Sequence, residues 1–101
     1  MSDRELLELA AKAADVSLYA VWSDFGSFEG YRAGALDGDT WNPLTNDGDA
    51  LRLAVKLNLL HTYHIDSPVW LLHFDATDPD KDAATRRAIV RAAAELGRSM
   101  P

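Results

Sequence analysis

The spacing of apolar and polar positions divides the chain into segments of two different periods. Leu6, Leu7, Leu9, Ala10, Ala13 and Ala14 recur at helical spacing, with Arg4, Glu5, Glu8 and Lys12 largely outside that face. The pattern predicts an amphipathic helix over about 3–14. Ser2 followed by Glu5 supplies a capping box for its first turn, and Glu8 precedes Lys12 by one turn, the favourable order for an ion pair. From Val16 to Trp22 β-branched and aromatic residues take over, a polar turn around Gly26 interrupts them, and Phe28 to Ala33 resumes the run. These segments predict a hairpin. Residues 34–40 read as a loop that leads through Trp41-Asn42-Pro43-Leu44 to a second helix. Asn46 or Asp47 caps that helix, Asp49 complements its positive end, and it runs to about Leu57. Its expected buried face is Ala50, Leu51, Ala54, Val55 and Leu57, which leaves Arg52 and Lys56 outside.

Leu59 to Ile65 and Val69 to Phe74 are rich in strand formers, and Asp66-Ser67-Pro68 between them predicts a second hairpin. For the last helix, over about 79–96, Asp78 is the expected N-cap and Pro79 the first helical residue. Asp80 and Asp82 suit its first turn, and Gly97 lies just past its end. Ala84, Ala88, Ile89, Ala92, Ala93 and Leu96 form its expected buried line. The order αββαββα predicts a single small α+β domain spanning 1–101, with a four-stranded, mostly antiparallel sheet packed with three helices.

Composition narrows the function classes. A chain of 101 residues that is nearly half hydrophobic can bury a core without crosslinks. With no cysteine there is neither a disulfide framework nor a thiolate metal site. The charged N-terminus and the lack of a long apolar run predict neither signal peptide nor membrane anchor, and favour the cytoplasm. The net charge is −6 and unevenly spread: residues 1–80 carry five basic and fourteen acidic groups, whereas residues 81–101 carry five basic and two acidic. An acidic surface disfavours direct nucleic-acid binding, which needs a basic stripe to displace counterions.

His61, His64 and His73 are the metal suspects, with Asp66 or Asp75 as a further ligand. A two-residue hairpin loop at Asp66-Ser67 points His61 and His64 to opposite faces and leaves His73 roughly 13 Å along the ladder from His64. Three ligands do not converge, and no metal or cofactor is expected. Asp37-Gly38-Asp39 and Asp47-Gly48-Asp49 invite a calcium reading, but the loop from Asp37 lacks the glycine and closing glutamate of a calcium loop, and helix capping accounts for Asp47-Gly48-Asp49 and a turn for Asp37-Gly38. There is no Gly-x-Ser-x-Gly elbow and no phosphate-cradling glycine loop, so the expectation is a protein without catalytic activity. Trp41 precedes Asn-Pro and is either a lid over the core or a binding anchor. Phe25 and Phe28 beside the Gly26 turn form a candidate contact patch, with Asp24, Glu29, Asp37 and Asp39 supplying charge around it. Arg87, Arg91 and Arg98 share one side of the last helix, either a solvated face or an alternative basic face for an acidic partner or a nucleic-acid backbone.

Three blocks resemble a family of short phage and prophage proteins of proteobacteria, broadly similar to the phage NinX proteins. They are Glu5 to Ala14, Trp41 to Leu57 (WNPLTNDGDALRLAVKL) and Ala84 to Gly97. The resemblance covers roughly two fifths of the chain and implies a phage context, with no activity to carry over. It leads to the expectation of an accessory protein that binds and modulates or inhibits a host protein, with an anti-defence, anti-CRISPR-like inhibitor as its sharpest form. The alternatives are a small-ligand or metal-dependent hydrolytic protein using His61, His64 and His73, and a self-associating structural protein using the alanine-rich last helix.

Overall fold

The first helix, α1 (Asp3–Ala14), starts where the capping residues place it: the Glu5 amide donates to Ser2 Oγ at 3.2 Å. It stops in a left-handed residue, Asp15 (φ 56°), and the Val16 amide closes the end by donating to the Ala11 carbonyl at 2.9 Å. That six-to-one bond satisfies a carbonyl the helix would leave orphaned. A computed structural model describes residues 2–34, 38–59 and 73–101. After α1 come β1 (Leu18–Trp22), β2 (Phe28–Ala33), β3 (Thr40–Trp41), α2 (Asp47–Lys56) and α3 (Lys81–Arg98).

Among the described residues the sheet has three strands in the order β1-β2-β3, all antiparallel. This corrects the expected four-stranded sheet, while the broader α+β class stands. The third strand is the segment read from sequence as a loop, where Tyr31 pairs with Trp41 and Arg32 with Thr40. The pairing was illegible locally because two residues carry no alternation pattern. The second predicted hairpin falls mainly on residues 60–72, outside the described residues. Its described ends are not in strands: Leu59 closes α2, donating its amide to the Ala54 carbonyl at 2.8 Å behind left-handed Asn58 (φ 56°).

The other corrections concern faces and caps. Asp80, not Asp78, caps α3, its carboxylate accepting from the Ala83 amide at 3.0 Å, while Asp78 forms a turn by accepting from the Asp80 amide at 2.9 Å. On α2 the buried residues are Asp49, Ala50, Leu53 and Ala54, whereas Leu51 and Val55 are 56% and 60% exposed. On α3, Val90, Ala94 and Gly97 join the buried line and Leu96 leaves it. Gly97 is therefore a packing residue within the helix and not its terminator.

α3 packs along α1 and also contacts α2. The interface is built from small side chains, with Ala10, Ala11 and Ala14 on α1 and Ala93, Ala94 and Gly97 on α3 all buried. Small residues allow the helix axes to approach, so dispersion contacts replace bulky interdigitation.

Candidate functional site

The β1–β2 hairpin projects the aromatic residues singled out from sequence. Its turn is closed by the Gly26 amide donating to the Ser23 carbonyl at 2.9 Å and the Ser23 amide donating to the Ser27 carbonyl at 2.8 Å. Gly26 takes φ 81°, a value L side chains rarely adopt, which explains glycine there. The Ser23 hydroxyl also accepts from the Ser27 amide at 3.0 Å, so the tip is fixed by local bonds. At that tip Phe25 is 96% exposed, with Asp24 exposed beside it.

Below the tip, the register shifts between Val21 and Trp22, leaving Glu29 as the extra residue on β2. Trp22 and Phe28 meet edge to face at 5.4 Å between centroids, and Phe28 meets Tyr31 in the same way at 5.0 Å. Arg4 of α1 lies over Phe28 at 4.2 Å and Trp22 at 5.5 Å. Its guanidinium also reaches Glu8 at 4.0 Å, and Glu8 accepts the Tyr31 hydroxyl. Burial pushes the Tyr31 phenol above its ordinary value, and the hydrogen bond to Glu8 adds to the shift. This row ties the hairpin base to α1 and leaves Trp22 53% exposed. A cleft of about 340 Å³ lies between α1 and the sheet, with Arg4, Phe28, Glu29, Tyr31 and Trp41 among its walls.

Trp41 is a core residue, 8% exposed, so its indole is withdrawn from the surface. The residues after it explain why. Asn42 Oδ1 accepts from the Leu44 amide at 3.0 Å, and the Asn42 amide donates to buried Asp49 Oδ2 at 2.9 Å. Asp49 Oδ1 takes Arg52 Nη2 at 2.6 Å, and Asn46 Oδ1 caps α2 by accepting from the Asp49 amide at 2.8 Å. Arg86 of α3 then donates Nε to the Leu44 carbonyl at 2.9 Å and Nη1 to Asp47 at 2.7 Å. The Trp41–Asp49 block is thus a scaffold that seats α2 and β3 on α3. Arg86 escaped the sequence reading because nothing near it in the chain signals a partner about forty residues away.

Of the acidic candidates, Asp24, Glu29 and Asp39 are exposed, and Asp37 lies outside the described residues. Phe28 is half-buried in the aromatic row and contributes to the base, not the tip. On the alternative basic face, Arg87 pairs with Asp3 at 3.0 Å and Arg98 with Glu95 at 3.1 Å, while Arg91 is exposed. His61, His64 and Asp66 lie outside the described residues, among which no group of three or more His, Asp or Glu gathers to hold a metal. Among them, too, no helix is long and apolar enough to cross a membrane. Comparison of the chain with family models, curated proteins and solved structures gives no match.

Proposed function

We propose that this chain is a non-enzymatic binding protein that docks a partner protein through the tip of the β1–β2 hairpin. The observation that carries the reading is Phe25, an aromatic side chain held almost fully in solvent on a turn that three hydrogen bonds fix. An exposed aromatic on a fixed turn needs no backbone ordering to dock, and aromatic side chains dominate interface energetics. Asp24 at the tip and Glu29 at the bulge put exposed negative charge on the same hairpin, so the partner offers an apolar pocket rimmed by Lys or Arg. The phage context rests on the resemblance of the three sequence blocks. It makes the partner a host protein in the bacterial cytoplasm, and a defence complex with a basic groove is the class the acidic surface suits best.

The test is a tagged pull-down from host lysate at low and moderate salt, with wild type beside Phe25→Ala and Asp24→Asn. One stoichiometric host protein is expected, weakened by salt and by Asp24→Asn. Phe25→Ala should lose about 2 kcal/mol or more of binding. A partner retained equally by Phe25→Ala would sink the hairpin reading.

A further inference from the structure

We propose that two copies of this chain pair through the outer edge of β1, antiparallel and about a two-fold axis at Ala20, joining their sheets into one. Strand β1 lies at the end of the sheet order, and among the described residues no main-chain group bonds to its outer side. Its sequence, Leu-Tyr-Ala-Val-Trp, contains no charge, proline or glycine. Charge and proline are two of the devices by which edge strands prevent pairing, and β1 carries neither.

The direction of the main chain selects the register. Ser17 accepts from the Gly34 amide at 2.9 Å and Ser23 donates to Ser27 at 2.8 Å, so both face β2. With the period of two along a strand, Leu18, Ala20 and Trp22 point their amide and carbonyl groups outward. In antiparallel pairing centred on Ala20 these residues meet one another: Ala20 opposite Ala20 of the second copy, and Leu18 opposite its Trp22. Every outward group then finds a partner.

The side chains fit the same register. Leu18 meets Trp22 on the face toward α1, and Tyr19 meets Val21 on the other, so an aromatic ring stands opposite an aliphatic group at each pair. Such pairs stabilise antiparallel strands. Trp22 is 53% and Tyr19 38% exposed, and Ala20 is also exposed, so pairing covers apolar surface the single chain leaves in water. Among the described residues the sheet has two edges: two-fold pairing uses up β1 in both copies, and the opposite edge, β3, has only two residues, so the assembly closes at two. Self-association through the alanine face of α3 is ruled out by packing, because that face is already buried within the chain.

Light scattering from micromolar to millimolar concentration, on wild type, Ala20→Lys, Ala20→Glu and an equimolar mixture of the two variants, tests the proposal. The Ala20 residues would face each other about 5.5 Å apart between Cα atoms, so like charges separate the copies and opposite charges rejoin them. The expected result is a wild-type dimer, two monomeric variants with helical circular dichroism intact, and a mixed dimer on combination. A monomeric wild type overturns the proposal, as does a dimer that Ala20→Lys leaves intact or a mixture of folded variants that stays monomeric. A monomeric wild type whose lysate partner is lost in Ala20→Lys assigns the edge to another polypeptide and equally overturns self-pairing. Phe25→Ala should leave the dimer unchanged, which separates this surface from the hairpin tip.

Discussion

Gly97 in α3 faces the main-chain carbonyl of Leu9 in α1 so closely that a Cβ built on Gly97 would stand 2.0 Å from the Leu9 oxygen. The obstacle is backbone, which cannot swing aside as a flexible side chain can. Gly97→Ala therefore has to separate the two helices along the buried alanine seam. The expected cost is about 3 kcal/mol, at the upper end for overpacking a core, seen as a Tm lower by roughly 10 °C or more. Gly48→Ala is the control: its Cβ would meet only side-chain atoms, the nearest at 3.2 Å. Those side chains can shift by a few tenths of an ångström where the Leu9 backbone cannot, and alanine is the better helix former, so its Tm should fall much less than that of Gly97→Ala. Equal melting of wild type and Gly97→Ala would show that α1 and α3 do not meet in this way.

Asp49 holds the Trp41 segment to α2 through one buried carboxylate, with the Asn42 amide on one oxygen and Arg52 on the other. Asp49→Ala leaves the Asn42 amide without its acceptor in a largely desolvated place, at a cost of about 1–3 kcal/mol. Asp49→Asn keeps an acceptor oxygen and should cost less. Urea denaturation orders the three chains as wild type, then Asp49→Asn, then Asp49→Ala. An Asp49→Ala midpoint equal to wild type would exclude the carboxylate as the clasp.

The Tyr31 hydroxyl donates to Glu8, and its pKa is raised in the fold, first by burial and then by that bond. The neutral phenol is thus favoured in the folded state over the unfolded one. Its contribution is fully present below the ordinary phenol value of about 10 and is lost as pH rises through the higher folded value. Stability of the wild type should fall on that alkaline limb, and Tyr31→Phe, which has no proton to lose, should lack this part of the fall. Denaturant midpoints measured through pH 9 to about 11.5 check this, and parallel curves for the two chains would contradict it.

Local chemistry carried the elements whose determinants lie within a few residues of one another. The Ser2–Glu5 cap placed α1, and the hairpin followed from aromatic strands interrupted at Gly26. Asn46 was one of two named caps for α2, whereas the α3 cap moved from Asp78 to Asp80 because successive aspartates offer equivalent acceptors. The α2 face was misplaced for a different reason. Leu51, Leu53 and Val55 have similar hydropathy, and only the position of α3 and the Trp41 block decides that Leu53 is covered while Leu51 and Val55 meet solvent.

The sequence by itself determined the two long helices, the first hairpin, the acidic balance and the aromatic candidates, because capping, periodicity and turn chemistry act between near neighbours. Only the tertiary structure decided that Trp41 is a core strand residue, that Arg86 reaches Leu44 and Asp47, that Gly97 exists to admit a backbone carbonyl, and that Phe25 rather than Trp41 stands in solvent. Those outcomes depend on contacts between segments far apart in the chain, and a linear pattern of hydropathy carries no information on which distant surface arrives to cover a given side chain.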